Sequence, residues 1–462
     1  MNLQSLANEK LLILDGGMGT MLMRAGLTAA ERPEAWNLTH PRRIEAIHAE
    51  YLDAGADIIT TNTFGANELH FPQDLPAIIA SAVSSAKSAV HKAGHGWVAL
   101  DVGPTGRLME PYGDLPFTQA VSLFENAAAL GARAGADLII IETMTDAYEM
   151  KAAVLGAKAA GLPVIASFTP SLSGRLMTGA DIPGTVALLE GLGVHAVGIN
   201  CGFGPEHLTP FVHTLLNCAS VPVLLSPNAG LPQTTESGVY YTVTPERFGE
   251  DMKPLMQSGL SLAGGCCGTT PAHIRTLAEA ARGIRPPPVR QKETYIITSG
   301  RRTLRYDAAV HQVGRGIHAS VNKKICDALK AGDMETLVSE AETQAEDGAD
   351  ILDINVYVPG MDEASVLETA VREIQAVCTL PLQLNASKPE SLEAAMRIYN
   401  GRPLIRAAYD LPSLCNGLFP LIRQYGGLAV LPRAALTAEM PSERIRQEAA
   451  RKGIRRQDIL IQ

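Results

Sequence analysis

The sequence predicts an α/β protein: a (β/α)8 TIM barrel followed by a second, incomplete (β/α) barrel-like domain. Three observations carry this. Short apolar runs rich in β-formers alternate with longer stretches of helical apolar spacing. Eight such units fill roughly the first 280 residues, and six more follow a run of prolines.

The first eight runs are residues 11–14, 57–61, 97–102, 137–141, 163–168, 196–200, 221–225 and 260–263, each closed by Gly, Pro, Thr or Asn. Between them lie stretches such as EAIHAEYLDAGA and TQAVSLFENAAALGARAGA, with apolar residues every three to four positions. Strands separated by helices pair in parallel through right-handed crossovers, and eight units in this length fit one barrel. A doubly wound open sheet is the alternative, weakened because no G-x-G-x-x-G follows the first run.

The prolines at 286–288 cannot continue a helix and favour a stiff extended connector. Residues 1–285 are therefore one domain and 286–310 a Pro-rich linker. Alternation resumes at 312–317, 351–356, 382–385, 404–408, 428–431 and 459–461. A second closed barrel needs two more units, about 60 to 100 residues. Residues 311–462 thus read as an α/β domain truncated after its sixth strand: a piece of something longer, a sheet completed by a partner, or a domain that is not a closed barrel.

Composition bounds the function. With 46% apolar and 19% charged residues the chain falls in the soluble globular class. The net charge of −9 (39 basic against 48 acidic residues), with no block of like charge, argues against a nucleic-acid partner. The amino terminus lacks a basic region followed by an apolar one, and no apolar run is long enough to cross a bilayer. The expectation is a cytoplasmic protein with no membrane contact.

Seven cysteines in a chain of this length do not make a disulfide framework. Cys218, Cys326, Cys378 and Cys415 stand singly among apolar or helical residues and read as buried filler. The other three differ. GINCGFG places Cys201 just after the sixth strand, and SLAGGCCGTT places Cys266 and Cys267 just after the eighth. In a parallel barrel all strand carboxyl ends share one face, where active sites are built, and these two strands have a single neighbour between them. Three thiolates with an open fourth position describe a catalytic zinc site, and thiolate donors exclude magnesium or calcium. A thiol entering the fourth position would lose its proton and become a nucleophile. Zinc-hydroxide hydrolysis prefers His or carboxylate ligands, and no histidine here shows H-E-x-x-H spacing. Ordinary buried thiols, or a vicinal disulfide, are the competing readings.

The segments LLILDGGMGTMLMRAG, DIITTNTFGAN, IIIETMTD, GINCGFGPEHL and GGCCGTTPAHI span residues 10–280 in order. In these the first domain resembles the homocysteine-binding domain of cobalamin-dependent methionine synthase and its relatives. The resemblance implies Zn2+ on Cys201, Cys266 and Cys267 with the L-homocysteine sulfur as fourth ligand. It also implies an amino-acid pocket lined by Asp15, Gly16, Thr63, Glu142 and Asn200. More faintly, EDGADILDIN, NASKPE and the turn at Gly314 make the second domain similar to the methyltetrahydrofolate-binding barrel of the same enzymes. That implies cofactor contacts at Asp353, Asn355 and Asn385. This chain departs from the pattern. The family's Gly-Glu-Arg-x-Asn reads GRGIH at 314–318, its Asp-Ser-Ser begins with Asn385, and its Asn-Ser is replaced around Arg406 and Ala407. The changes put methyltetrahydrofolate binding in doubt. No Asp-x-His-x-x-Gly cobalamin segment is found, so methylcobalamin would be supplied in trans on a separate corrinoid protein.

The reading is a zinc-dependent methyltransferase making methionine from homocysteine with a methylcorrinoid protein as donor. One alternative keeps the zinc site but takes the methyl from S-methylmethionine or a betaine-type onium. Another is a non-catalytic subunit that docks a corrinoid or methyltransferase partner.

Overall fold

The structure, a computed structural model, describes residues 3–235, 238–292, 294–406, 410–432 and 441–461. The chain divides into two compact units, Met1–Met177 with Val194–Gln291 and Thr178–Gly193 with Lys292–Gln462. No helix among the described residues is long and apolar enough to cross a membrane.

The first unit carries eight parallel strands: β1 (Leu12–Ile13), β2 (Ile58–Thr60), β3 (Trp97–Val102), β4 (Leu138–Met144), β5 (Val164–Phe168), β6 (Ala196–Asn200), β7 (Val223–Ser226) and β10 (Leu262–Ala263). A hairpin, β8 (Pro232–Thr235) and β9 (Gly238–Tyr241), precedes the last of them. The ladder runs β1-β10-β7-β6-β5-β4-β3-β2. The ring then closes through a Leu14–Ile58 bridge, with Asp57 N–H donating to Ile13 O at 2.7 Å and Asp15 N–H to Ile58 O at 3.0 Å. All eight strands are those expected from the sequence, within a few residues at the ends.

Period-two alternation sorts each strand's side chains. Leu12, Leu14, Ile58, Ala99, Leu138, Ile140, Ile165, Ala196, Leu224 and Leu262 form one buried cluster. Leu3 and Ala7, from the helix Leu3–Glu9, join that cluster. Outside, helices present one apolar stripe to the sheet. Phe117–Ala134 buries Phe117, Ala120, Leu123, Phe124, Ala127, Ala128 and Gly131, each large side chain contributing about 1.5–3 kcal/mol.

Among the described residues the second unit holds six parallel strands in chain order: β13 (Val313–Gly314), β14 (Ile351–Ile354), β15 (Leu382–Leu384), β17 (Leu404–Arg406), β18 (Leu428–Leu431) and β19 (Ile459–Ile461). Of the strand expected over 404–408, Leu404–Arg406 is observed, and 407 and 408 lie outside the described residues. Part of the segment expected as a linker, 286–310, is built into sheet. Residues 282–292 lack regular structure, but β11 (Ile296–Ser299) and β12 (Thr303–Arg305) form an antiparallel sheet with β16 (Gly401–Arg402). Ile297, Tyr306, Ile351, Leu404, Leu428 and Val430 make this unit's core. Arg402 is buried against Asp458 at 2.6 Å, and Arg455 joins Asp458 and Glu190 at 2.8 Å each. Removing one partner of such a buried set costs about 3–5 kcal/mol. Glu190 lies on the helix Ile182–Gly191 between β5 and β6, which groups with this unit.

Of the four cysteines read as filler, Cys378 is buried, while Cys218, Cys326 and Cys415 are only partly covered.

Candidate active site

The same alternation that builds the barrel core also builds its mouth. Two residues beyond the inward Ile58, Ala99, Ile140, Ile165 and Leu224 stand Thr60, Asp101, Glu142, Ser167 and Ser226. The interior therefore turns from aliphatic to polar at the strands' carboxyl ends, where (β/α)8 barrels place their sites.

Four loops are pinned to one another there. Cys201 N–H donates to Ser226 O at 3.0 Å, Cys266 N–H to Pro227 O at 2.8 Å, and Ala229 N–H to Cys267 O at 2.9 Å. The loop after β1 is tied to the loop after β10 by Gly17 N–H to Thr269 Oγ1 (3.1 Å) and Gly268 N–H to Thr20 Oγ1 (2.9 Å). Gly268 has φ +81°, and a Cβ there would lie 2.2 Å from Tyr241 Cγ, so only glycine lets that ring close over the loop.

The outcome is that Cys201, Cys266 and Cys267 present their sulfurs within 4.8 Å of one another, with Cys201 and Cys267 at 3.9 Å. Bonds of about 2.3 Å to a tetrahedral zinc set neighbouring sulfurs about 3.8 Å apart, so the donor set fits that ion with little movement. By themselves the sulfurs share charge unequally. Hydrogen bonds from Cys201 and Cys266 pull Cys267 down to about 3. Cys201 is pushed up to about 11. Its hydrogen bond with Cys266 opposes that rise, and the one with Cys267, together with burial, outweighs it. Cys266 rises well above the usual thiol range through hydrogen bonds to Cys201 and Cys267 and through burial. One thiolate and two thiols is what like charges this close permit without a counter-ion.

The sulfurs open onto a cavity of about 270 Å3. Among the described residues its wall carries four acids, Asp15, Glu34, Asp101 and Glu142, and no Lys, Arg or His. Asp15 accepts from Thr60 N–H at 2.7 Å, yet burial pushes its carboxyl up to about 8. Burial, then the Cys201 charge, pushes Glu142 up to about 7. Asp101 rises well above the carboxylate range by burial and the neighbouring Glu142 and Asp15, and its Oδ1 has no hydrogen-bond partner among the described residues. Phe64, Tyr241, Met18 and Met23 supply the apolar wall.

Of the residues expected here, Asp15, Gly16, Glu142 and the three cysteines line the cavity. Thr63 and Asn200 do not. Thr63 donates to Asp101 O at 2.7 Å and is buried behind the wall, and Asn200 is wholly buried. The sequence reading missed Asp101, Ser226 and Tyr241. Ser226 is recoverable by extending the alternation one step past the run 221–225, and Asp101 by reading the alternation within the run 97–102. Tyr241 arrives on the β8–β9 hairpin, which lies outside the eight runs read as strands. In the second unit, Asp353 sits buried on β14 with Oδ1 unpartnered among the described residues. Asn355 accepts from Tyr357 N–H at 3.2 Å. Asn385 follows β15, and its N–H donates to Ile354 O at 3.1 Å.

Comparison with known proteins gives consistent findings. The profile of the family described as Homocysteine S-methyltransferase matches residues 12–281. Methionine synthase of Mycobacterium tuberculosis is 30% identical over 430 residues, covering 88% of this chain and 36% of the relative. That of Mycobacterium leprae is 30% identical over 437 residues, with the same coverage. The chain thus spans about a third of the length of these curated relatives. Among solved structures, the oxidized form of the Escherichia coli homocysteine methyltransferase MmuM superposes with a TM-score of 0.52 at 27% identity, over 60% of this chain and 98% of that one. Its metallated form gives 0.51 at 28% identity with the same coverage.

Proposed function

The chain belongs to the homocysteine S-methyltransferase family, and from that premise we propose that it transfers a methyl group to the thiol of L-homocysteine, giving methionine, with Zn2+ held by Cys201, Cys266 and Cys267. The observation that carries this is the set of three sulfurs within 4.8 Å at the floor of an acid-walled cavity. When bound, zinc supplies a Lewis acid that keeps the substrate sulfur deprotonated at neutral pH.

The chain's own residues do the rest. Asp15 and Glu142, with Asp101, hold the substrate ammonium, and a wall without a cation gives the charged amine nowhere else to go. Gly16 leaves room beside them, since a Cβ there would meet Thr269 Oγ1 at 2.6 Å.

Two measurements test this. Metal analysis should give about one zinc per chain, with sulfur neighbours near 2.3 Å by X-ray absorption. Homocysteine binding should release about one proton near neutral pH, because only the thiolate enters the site. A spectrum dominated by oxygen and nitrogen neighbours would sink the zinc reading. Binding without proton release would put homocysteine elsewhere.

The acids add a pH dependence. Carboxyls raised to about 8 (Asp15) and about 7 (Glu142) are protonated below those values, so the anions that pair with an ammonium appear only as pH rises. L-methionine, which has no thiol proton, should therefore bind about tenfold more tightly at pH 8 than at pH 6. A flat profile would remove these carboxyls from the amine site.

For the donor, the reading is a methylcorrinoid protein acting in trans. The exposed large apolar residues of the first unit support it: Met23, Leu38, Phe64, Leu108, Tyr112, Leu172, Met177, Leu231 and Tyr240. Every one lies in a segment leaving the carboxyl end of a barrel strand, the face on which the cavity opens, and Met23 and Phe64 line the cavity itself. Apolar surface concentrated at a mouth suits a macromolecular partner. A sulfonium or betaine donor is the second reading, favoured by four acids facing a single substrate amine. Methionine formation with a methylcorrinoid protein, against S-methylmethionine and betaine, separates the two.

The second unit reads as a divergent relative of the methyltetrahydrofolate-binding barrel, with divisions at 1–285, 286–310 and 311–462. Six parallel strands in sequence order, with Asp353 and Asn355 at the second, support that reading.

A further inference from the structure

We propose that Asn200 is a positioning residue whose single amide sets both the ammonium-binding carboxylate and a metal-binding sulfur, an inference that rests on the zinc and homocysteine reading above.

Asn200 is 0% exposed at the end of β6. Its Oδ1 accepts from Thr143 N–H at 2.8 Å and from Ser167 Oγ–H at 2.9 Å. Its Nδ2 donates to Thr143 Oγ1 at 2.8 Å and faces Cys266 Sγ at 3.8 Å. The amide's two acceptor sites and two donors are all engaged, which leaves nothing for a substrate.

What these bonds hold is unusual. Thr143 has φ +59°, a left-handed conformation that a β-branched residue keeps only when its surroundings impose it. The register of β4 against β5 shifts between Ile141 and Met144, at this same point. Glu142, placed by the regular alternation of β4, and Thr143, at the kink directly after it, both line the cavity. Asn200 grips Thr143 from two sides, at its N–H and at its hydroxyl. The remaining N–H is aimed at Cys266, where donation to a sulfur fixes its rotamer and lowers its basicity. Cys201, which follows Asn200 directly, has φ +60°. The ammonium partner and the thiolate set are thereby located by one side chain that touches neither substrate nor solvent.

The two roles can be separated, because glycine adopts a left-handed φ without strain. Asn200→Ala should weaken both L-methionine and zinc binding, each by about tenfold or more. Adding Thr143→Gly should bring the amino-acid affinity back to within about threefold of the parent chain while zinc affinity stays low. Calorimetry reads the first, and competition with a chelator reads the second, in the full chain. Parent-like values of both in Asn200→Ala overturn the proposal. So does a double variant that recovers neither affinity or both. Should Asn200→Ala fail to fold, Ser167→Ala removes only one donor to Oδ1 and should still weaken the amino acid about threefold. No change there also overturns it. A parent chain that takes up no zinc would instead refute the function proposed above.

Discussion

Changing Cys266 to alanine is expected to strip the chain of zinc and to lower methyl transfer by about a thousandfold or more. A full thiolate-rich ligand set binds zinc with about 10–16 kcal/mol of apparent free energy, so losing one sulfur of three weakens the site by several powers of ten. Cys266 is also the sulfur that Asn200 addresses and whose carbonyl is held by Thr269 Oγ1 at 2.7 Å, so no neighbour can substitute for it by a small shift. Cys218→Ala supplies the contrast. That thiol ends the helix Pro205–Cys218 and donates to Leu215 O at 3.4 Å. Its loss should cost about 1 kcal/mol of stability or less and leave metal content alone. Metal analysis and donor-dependent methionine formation on both variants decide the matter. Turnover by Cys266→Ala at the parent rate would remove that residue from the site.

The barrel was legible because each strand is a short apolar run and each helix a long striped one, signals that local sequence carries without help from distant residues. The cysteines were legible for a related reason: glycines on both sides of Cys266 and Cys267 mark a tight loop, and their place after a strand fixes the face they occupy. Asn200 shows where such reasoning stops. A motif puts it at a strand's carboxyl end, but only the bonds to Thr143, Ser167 and Cys266 place its side chain behind the cavity wall. The left-handed Thr143 has no sequence signature, since threonine is a poor choice for that conformation on its own. β11 and β12 fall in the stretch read as linker because both are short, and the second partner of β11, the strand β16, lies about a hundred residues further on, a contact no local pattern announces. The helix Ile182–Gly191 grouped with the second unit for a similar reason: its Glu190 meets Arg455, 265 positions away.

Methyltetrahydrofolate is expected to bind this chain more weakly than about 1 mM, against what the likeness of the second unit to a folate-binding barrel suggests. A pterin ring must have its donors and acceptors matched, and each buried one left unmatched costs about 1–3 kcal/mol. The polar groups at the relevant strand ends are already engaged within the chain. Gly316 N–H donates to Gln344 Oε1 at 3.0 Å, and Gly316 O accepts from Asn322 Nδ2 at 2.8 Å. His318 Nδ1 pairs with Ser320 Oγ at 2.9 Å. Asn355 caps its own loop through Tyr357 N–H, and Ser387 gives both its N–H and its hydroxyl to Glu363, at 2.9 and 2.6 Å. Asp353 keeps one oxygen unpartnered among the described residues, but at 1% exposure it can reach a ligand only if its surroundings open. Where the resemblance would place an aspartate, Asn385 offers a neutral carbonyl in place of a full charge to the ring's N–H groups. Two or three such losses, if roughly additive, remove several powers of ten in affinity. Equilibrium dialysis of methyltetrahydrofolate against the chain tests this, with homocysteine binding in the same sample as proof of a folded protein. A micromolar dissociation constant would refute the argument and make the second unit a working folate site.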